Sequence, residues 1–237
     1  LTISGAREFE ALDGELDGAQ PSDHNLLESL RQFVVQPIEP TVDHALGIVK
    51  LISAYCNIPW RVCYTILNHE GGVRLFKRRH PDGAMQTTSG VRRKVIPRIP
   101  RALKLVLLGL RTNDPSDDRT LDQRIMAQFR DRLPIQIATG IQELNDNLST
   151  FNGYVALAFQ AYNAGTGWAH YTVTQGKAKS RPRGVDDLQW ENMCRFGATL
   201  LHQSPHQVRI EQGRWQCDKN IPAWFSHVPV YDRQSGL

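Results

Sequence analysis

The sequence predicts an all-α protein, with at most a small β-hairpin. Apolar residues recur at helical spacing over most of the chain, and no segment alternates apolar and polar residues for longer than a hairpin requires. The stretch YVALAFQAY, residues 154 to 162, is apolar nearly all round, which is typical of a helix buried on every side. We expect this helix at the centre of the fold.

The length of 237 residues suits one main domain with additions, since domains commonly contain about 100 to 200 residues. Residues 1–24 are acidic and Gly-rich with little periodicity, which predicts a loosely structured N-terminal arm. Residues 25–175 hold the helical patterns and form the predicted main domain. Residues 176–237 begin with the basic loop GKAKSRPRG and are predicted to form a C-terminal extension packed on that domain.

Two successive helices are predicted after residue 40. Pro40 and Thr41 favour a helix start, and an apolar stripe follows at Val42, Ala45, Leu46, Val49 and Ile52. Asn57 and Pro59 then interrupt the chain. The second helix carries the stripe Trp60, Cys63, Ile66 and Leu67.

Two further helices are predicted before the buried one. Thr120 and Gln123 have the spacing of a capping box, and Leu121, Ile125, Phe129 and Leu133 follow at every fourth position. Behind Pro134, the stripe comprises Ile137, Ile141, Leu144, Leu148 and Phe151. Stretches rich in Pro, Arg, Asn and Asp around 97–101 and 111–118 are predicted connectors.

Glu70 is the principal candidate for chemistry. It lies four residues after Ile66 and three after Leu67, so it continues the apolar stripe and points toward the core or a cleft. Gly71 and Gly72 can end the helix in a left-handed conformation, which leaves Glu70 among the last carbonyls, where the helix dipole disfavours negative charge. Burial and the dipole both favour a protonated carboxyl, and general acid catalysis of glycoside cleavage needs such a group. The alternatives are a glutamate that reaches solvent from the edge of the stripe and one paired with a nearby arginine.

Three short segments together resemble the signature of the soluble lytic transglycosylase and goose-type lysozyme superfamily. They are HEGG at 69–72, GAMQ at 83–86 and AFQAYNAG at 158–165, and the match covers roughly residues 40–175. The resemblance implies a lysozyme-like α-rich catalytic domain over 25–175. It also implies cleavage of the β-1,4 bond between N-acetylmuramic acid and N-acetylglucosamine in peptidoglycan, without a metal or organic cofactor.

The resemblance also implies roles for individual residues. Glu70 matches the catalytic acid and base, while Tyr162 and Asn163 match a pair that faces the scissile bond. The substrate-binding positions are Met85, Gln86, Tyr162, Asn163, Gly71 and Ala84. The residues alone leave alternatives open: Met85 can fill the core, and the Tyr162 hydroxyl can bond either to a neutral Glu70 or to a backbone carbonyl.

This chain departs from the superfamily pattern at two single positions and in the basic segment VRLFKRRHPD, which replaces the small polar residues expected between Glu70 and Gly83. Gly71 stands where a serine usually follows the catalytic glutamate, and Ala84 stands where a leucine is usual. The missing hydroxyl at position 71 removes a contact to the substrate or to Glu70. Weaker activity or an altered substrate pose is the expected consequence.

The number of catalytic carboxylates separates two enzymes. A hydrolase needs a second carboxylate to activate water or to attack the sugar, whereas a lytic transglycosylase can use one glutamate as acid and then base to form a 1,6-anhydro end. Asp82 is the one acid between Glu70 and Gln86, and its place in HPDG also suits a turn. We therefore predict a transglycosylase, with a muramidase using Asp82 and a non-catalytic wall-binding module as alternatives.

The charge distribution bears on partners. The formal net charge is +4, and the excess base is concentrated in Lys77, Arg78, Arg79, Arg92, Arg93, Lys94, Arg98, Arg101 and Lys104. A basic surface favours an anionic polymer, here peptidoglycan glycan strands, although a solvated helix face explains it equally well. Pro97 and Pro100 interrupt any recognition helix, and no nucleic-acid-binding motif is present, so no nucleic acid is predicted as a partner.

Several features of the sequence bear on where the protein acts. No apolar run reaches the ~20 residues that span a bilayer, so no membrane span is expected. The chain begins at Leu1, and a removed signal peptide would not be visible; the predicted location is the periplasm, the cell envelope or outside the cell. Four cysteines, Cys56, Cys63, Cys194 and Cys217, suit an exported protein, with their pairing left open. An immunity or inhibitor protein, or a secretion-machinery partner, is compatible with this core.

Overall fold

The structure is a computed structural model that describes residues 22–35, 40–166, 208–211 and 214–217. Within these residues the chain is predominantly helical, which confirms the predicted all-α class. The helices are α1 (Asp23–Val35), α2 (Val42–Tyr55), α3 (Trp60–His69), α4 (Gly72–Lys77), α5 (Ser89–Val95), a 3-10 helix (Ile96–Arg98), α6 (Arg101–Leu107), α7 (Asp118–Gln128), α8 (Leu133–Thr150) and α9 (Val155–Ala164). A hairpin follows, formed by β1 (Val208–Glu211) and β2 (Arg214–Cys217).

Helix α8 is the central element of the helical domain. It is 18 residues long, most of its side chains are buried, and it contacts α2, α3, α5 and α9. Helix α9 is buried from Val155 to Tyr162, as its apolar sequence predicts. The two helices pack against each other, so α8 shares the central position that the sequence assigned to α9 alone.

Local signals fix the starts of α2 and α3. The Thr41 side chain caps α2, because its Oγ1 accepts a hydrogen bond of 3.0 Å from the His44 N–H. Pro59 precedes α3, where the fixed φ of proline suits the position before the first turn. Both predicted starts are confirmed.

The predicted capping box at Thr120 and Gln123 is wrong. Helix α7 begins at Asp118 and is capped by Asp117, whose Oδ1 accepts from the Thr120 N–H at 2.7 Å. Aspartate is among the best N-cap residues, so Thr120 falls inside the first turn instead. The predicted stripe from Leu121 to Leu133 also spans two helices, because α7 ends at Gln128 and α8 begins at Leu133.

The two ends of the described chain pack on the domain. Helix α1 begins at Asp23, inside the range assigned to the N-terminal arm, and residues 1–21 lie outside the described residues. Arg31 links α1 to the segment after α6, because its Nη1 donates a hydrogen bond of 2.7 Å to the Leu110 carbonyl. In the predicted C-terminal extension, the antiparallel hairpin pairs Ile210 with Trp215, and β1 contacts α9. The rest of that extension lies outside the described residues.

Two of the predicted surface cations are structural. Lys104 is buried, with its Nζ 2.6 Å from Asp122 Oδ1 and donating to the Pro97 carbonyl. Arg92 is also buried and donates to the Thr87 carbonyl at 2.6 Å. Buried charges need such partners, and the predicted basic surface is therefore smaller than the sequence suggests.

The exposed part of that surface includes Lys77, Arg78 and Arg79. Arg79 forms an exposed ion pair of 3.3 Å with Asp131.

Among the helices that the structure describes, none is both long enough and apolar enough to cross a bilayer.

Candidate active site

Glu70 lies where α3 stops. The helix ends at His69, Glu70 occupies the C-cap position, and Gly71 follows with φ of 101°. Gly72 also has a positive φ, 48°, and its N–H donates to the Ala84 carbonyl at 3.0 Å. The double glycine therefore ends α3 as predicted and joins the glutamate to the GAMQ segment.

The Glu70 carboxyl is held in a site that favours its neutral form. The residue is only 8% exposed, and burial raises its pKa to about 7. Within the described ranges, no lysine or arginine forms an ion pair with the Glu70 carboxyl. The described residues therefore do not support the alternative of a glutamate paired with arginine. Near neutral pH a substantial fraction of Glu70 carries a proton.

The GAMQ segment forms a tight turn beside Glu70. Gly83 has φ of 76° and Gln86 has φ of 50°. The Ala84 N–H donates to Gln136 Oε1 of α8 at 2.6 Å, and Gln86 Nε2 donates to the Glu70 backbone carbonyl at 3.0 Å. Side chains from α8 and from the turn itself thus fix the turn against the end of α3.

The side chains of this turn point in different directions. Gln86 is exposed, whereas Ala84 and Met85 are fully buried. A Cβ built at Gly140 of α8 would lie 2.5 Å from Met85 Sδ, so Met85 packs directly on that glycine. Met85 fills the core here, and only its backbone carbonyl takes part in the polar contacts of the site.

Asp82 is held by a cation. Its Oδ1 lies 3.6 Å from Arg92 Nη1, and Arg92 also donates to the Pro81 carbonyl at 3.1 Å. The Asp82 N–H donates to His80 Nδ1 at 3.3 Å, which is turn chemistry within HPDG. The structure therefore places Asp82 in an ion pair that stabilises the turn.

Tyr162 closes the site from α9. Its buried hydroxyl donates to the Met85 carbonyl at 2.7 Å, and the Glu143 side chain lies nearby. Burial, followed by the nearby charges of Glu143 and Glu70, raises the Tyr162 pKa well above its ordinary value. Tyr162 and Glu70 are thus neighbours, although the Tyr162 hydroxyl donates to the Met85 carbonyl. Asn163 follows and is half-buried.

Glu143 of α8 is a site residue that the sequence reasoning missed. Burial, then the negative charges of Glu70 and Asp146, raises its pKa to about 8, while a hydrogen bond from Tyr162 acts in the opposite direction. Helical spacing from Gly140, three residues earlier, offered a signal, because a glycine inside an amphipathic helix marks a face where another segment approaches closely.

Comparison with known family models, characterised proteins and solved structures gave no match. Two carboxyl groups with raised pKa values and one phenol come together where the ends of α3 and α9 approach the middle of α8. Within the described residues, no group of three or more His, Cys, Asp and Glu side chains is arranged to hold a metal ion.

We expect Gly71→Ser to destabilise the protein by about 1–2 kcal/mol, since side chains at positive φ cost roughly that amount. The Gly71 φ of 101° and the Leu75 Cγ, 3.0 Å from a Cβ built at Gly71, both oppose a side chain. Urea unfolding measures the loss. Gly90→Ser is the matched control, because a Cβ at Gly90 meets nothing within 4 Å. Equal stability of the two variants would contradict this account of Gly71.

Stability should fall as pH rises from about 5 to 8. Glu70 and Glu143 have folded pKa values of about 7 and about 8, above the ordinary 4.5, so the folded state binds more protons than the unfolded state in this range. Each such proton contributes up to about 1.4 kcal/mol per pH unit. Urea unfolding at pH 5 and 8 measures the fall, which should be smaller in the double variant Glu70→Gln/Glu143→Gln. An identical pH dependence in both proteins would refute the assignment.

Proposed function

We propose that this protein is a lytic transglycosylase with a lysozyme-like fold, which cleaves the β-1,4 bond between N-acetylmuramic acid and N-acetylglucosamine in peptidoglycan. The observation that carries the proposal is Glu70, a buried carboxyl at a helix end with a pKa of about 7. A general acid works best when its pKa lies near the working pH. The motif resemblance at 69–72, 83–86 and 158–165 supplies the substrate class.

In the proposed reaction, Glu70 acts first as an acid. Its proton passes to the glycosidic oxygen as the bond from that oxygen to muramoyl C1 breaks, which leaves Glu70 as a carboxylate. The carboxylate then accepts the proton of the muramoyl C6 hydroxyl while the C6 oxygen bonds to C1. The products are a free N-acetylglucosamine hydroxyl and a 1,6-anhydro end, and no water is consumed.

The other two carboxyl groups favour transglycosylation over hydrolysis. A hydrolase needs a second carboxylate that is ionised when it activates water or attacks the sugar. Glu143 has a pKa of about 8 and is mostly neutral at pH 7, whereas the Asp82 carboxylate is engaged by Arg92 at 3.6 Å and is less free to activate water or attack the sugar. One glutamate that works as acid and then as base fits these constraints better than a pair.

The deciding experiment is digestion of purified peptidoglycan followed by mass spectrometry of the released fragments. Muramoyl products lighter by one water support the anhydro route. Muramoyl products with ordinary reducing ends would show that the protein is a muramidase, which hydrolyses the bond, and would refute the transglycosylase. Binding to the wall without any released fragment would favour the non-catalytic wall-binding module.

The envelope remains the proposed place of action, since peptidoglycan is the proposed substrate. Arg78 and Arg79 are exposed and can contribute to binding an anionic wall. A wall-remodelling enzyme, a secretion-system component, a delivered toxin with its immunity protein and a phage lysin all suit this chemistry.

The activity should decline as pH rises through about 7. Glu70 must carry its proton when the substrate binds, and its pKa is about 7, so the active fraction falls about tenfold for each pH unit above that value. The measurement is kcat/KM on soluble glycan strands between pH 5 and 9. A kcat/KM that stays constant up to pH 9 would contradict the prediction. It would show either that Glu70 is not the acid or that its pKa lies well above 7.

A further inference from the structure

The guanidinium of Arg74 lies against the backbone that follows Glu70. Gly71 is the next residue after Glu70, and a Cβ built on Gly71 would lie 3.6 Å from Arg74 Nη2, an ordinary van der Waals distance. Helix α4 brings the side chain there, because the helix begins at Gly72 and residues three apart on a helix are neighbours. A cation therefore stands one residue from the proposed acid, beside a glycine that has no side chain of its own.

The charge of Arg74 is not used by the fold. The residue is exposed, and within the part of the chain that the structure describes no acid forms an ion pair with its guanidinium. Arg92, another cation near the GAMQ turn, is different: it is buried and donates to the Thr87 and Pro81 carbonyls. Arg92 therefore holds the turn together, whereas Arg74 is open to a ligand from outside.

The guanidinium does not compete for the proton of Glu70. Burial raises the Glu70 pKa to about 7, and no positive charge contributes in the opposite direction. A cation close enough to pair with the carboxyl would favour the carboxylate and remove the general acid. Because Arg74 lies against Gly71 instead, a permanent positive charge and a protonated acid occupy neighbouring positions.

We propose that Arg74 is a specificity-determining residue that binds a carboxylate carried by the muramoyl residue of the substrate. The inference rests on the proposed function and names the substrate group that this side chain recognises. N-acetylmuramic acid differs from N-acetylglucosamine by a lactyl group on its C3 oxygen. The lactyl carboxyl is a free carboxylate in bare strands, and in peptide-bearing strands it forms an amide with a peptide that has carboxylates of its own. A planar guanidinium binds a carboxylate through two parallel hydrogen bonds.

The proposed reaction brings this group to the neighbourhood of Arg74. Glu70 protonates the oxygen bound to muramoyl C1, so the muramoyl ring lies against Glu70 during the reaction, and the lactyl group is on that same ring. The carboxylate does not change as the glycosidic bond breaks. Its contact with Arg74 therefore stabilises the bound substrate and the transition state equally, which lowers KM and leaves kcat nearly unchanged.

The first test measures binding in the Glu70→Gln background, so that no strand is cut. The probes are bare muramoyl strands, peptide-bearing muramoyl strands and chito-oligosaccharides, which have no carboxylate. We expect Arg74→Gln to weaken the binding of muramoyl strands roughly tenfold, near the low end for a hydrogen bond to a charged group, and to leave the binding of chito-oligosaccharides unchanged. Weaker binding of bare strands identifies the lactyl carboxylate as the ligand, and weakening confined to peptide-bearing strands identifies a carboxylate of the peptide.

Arg119→Gln is the matched control for this comparison. Arg119 is an exposed cation on α7, and its substitution removes the same charge from the protein. The control should bind all three probes as the Glu70→Gln background does. A general effect of net charge would weaken binding equally in both variants, whereas a specific contact weakens it only in Arg74→Gln.

The second test measures kinetics in the chain that retains Glu70. Arg74→Gln should raise KM for muramoyl strands roughly tenfold, with kcat within about twofold of the unmodified chain. Arg74→Lys should lie between the two proteins, because lysine keeps the charge but not the planar pair of donors.

Two outcomes would overturn the role of Arg74 and leave the proposed function standing. One is equal binding of muramoyl strands by Arg74→Gln and Arg119→Gln. The other is an equal loss on muramoyl strands and chito-oligosaccharides, which would show that Arg74 supports the shape of the site and recognises no carboxylate. An unmodified chain that neither binds nor cleaves any of these strands would instead refute the proposed function, and the role of Arg74 with it.

Discussion

Glu70→Gln should lower the rate of fragment release from peptidoglycan by at least about 10²- to 10⁴-fold, the usual contribution of a general acid. Glutamine has nearly the shape of protonated glutamate, but its amide does not transfer a proton to the leaving oxygen. The fold and the contacts of the backbone are expected to stay intact, because the Glu70 carbonyl that accepts from Gln86 is unchanged. Binding to the wall should therefore persist while turnover is lost.

The same substitution separates the enzyme from a wall-binding module. Glu28→Gln is the matched control, because Glu28 is an exposed acid on α1 whose contact is an exposed ion pair with Arg31. Surface pairs of this kind contribute little, so the control should retain normal turnover. Fragment release by Glu70→Gln at the rate of this control would exclude Glu70 as the acid. Loss of wall binding together with turnover would indicate that the substitution had damaged the fold.

Glu70→Gln should also remove part of the pH dependence of stability. The buried carboxyl must ionise at alkaline pH, and burial makes that ionisation unfavourable. An amide has no such cost. At pH 8 the variant should therefore be more stable than the unmodified chain, whereas the two should be nearly equal at pH 5. A stabilised but inactive variant would be the expected pattern for a residue kept for chemistry.

The placement of Glu70 was predictable because its causes are local. The apolar stripe of α3 sets its direction, and the glycines at 71 and 72 set the helix end. The start of α2 at Thr41 was predictable for the same reason. In each case, side chains within one helical turn decide the structure.

Contacts between distant segments were not predictable from patterns. The periodicity cannot show that the Met85 side chain packs on Gly140, or that the Tyr162 hydroxyl donates to the Met85 carbonyl. Arg92 was placed on a basic surface by its neighbours in sequence, yet it is buried in contact with Thr87 and 4.4 Å from the centre of the Phe129 ring. These positions depend on how α5, α8 and α9 pack.

Local signals also compete with one another. Thr120 with Gln123 fits a capping box, but Asp117 lies three residues before Thr120 and is a stronger cap. Glu143 was overlooked for a related reason. A single acid between Gln142 and Leu144 has the composition of an exposed helix face, and only the approach of α9 turns that face inward.

Gln136→Met should destabilise the protein by roughly 2–6 kcal/mol, because two buried backbone groups would lose their partners at about 1–3 kcal/mol each. Gln136 is 2% exposed, and its amide joins two segments. Its Oε1 accepts from the Ala84 N–H at 2.6 Å, and its Nε2 donates to the Phe129 carbonyl at 2.9 Å. Methionine has a similar length and no equivalent donor or acceptor, so packing is largely kept while both bonds are removed.

The loss should extend from stability to catalysis. The Ala84 N–H belongs to the same turn as Met85 and Gln86, which contact Tyr162 and Glu70. A turn released from α8 would therefore lower kcat even in the folded fraction, and Gln136→Met should show both a lower urea midpoint and a lower rate. Gln123→Met on the exposed face of α7 is the matched control and should change stability by no more than about 0.5 kcal/mol. Normal activity in a destabilised Gln136→Met would show that the turn keeps its geometry without α8, and that the end of α3 alone positions Glu70.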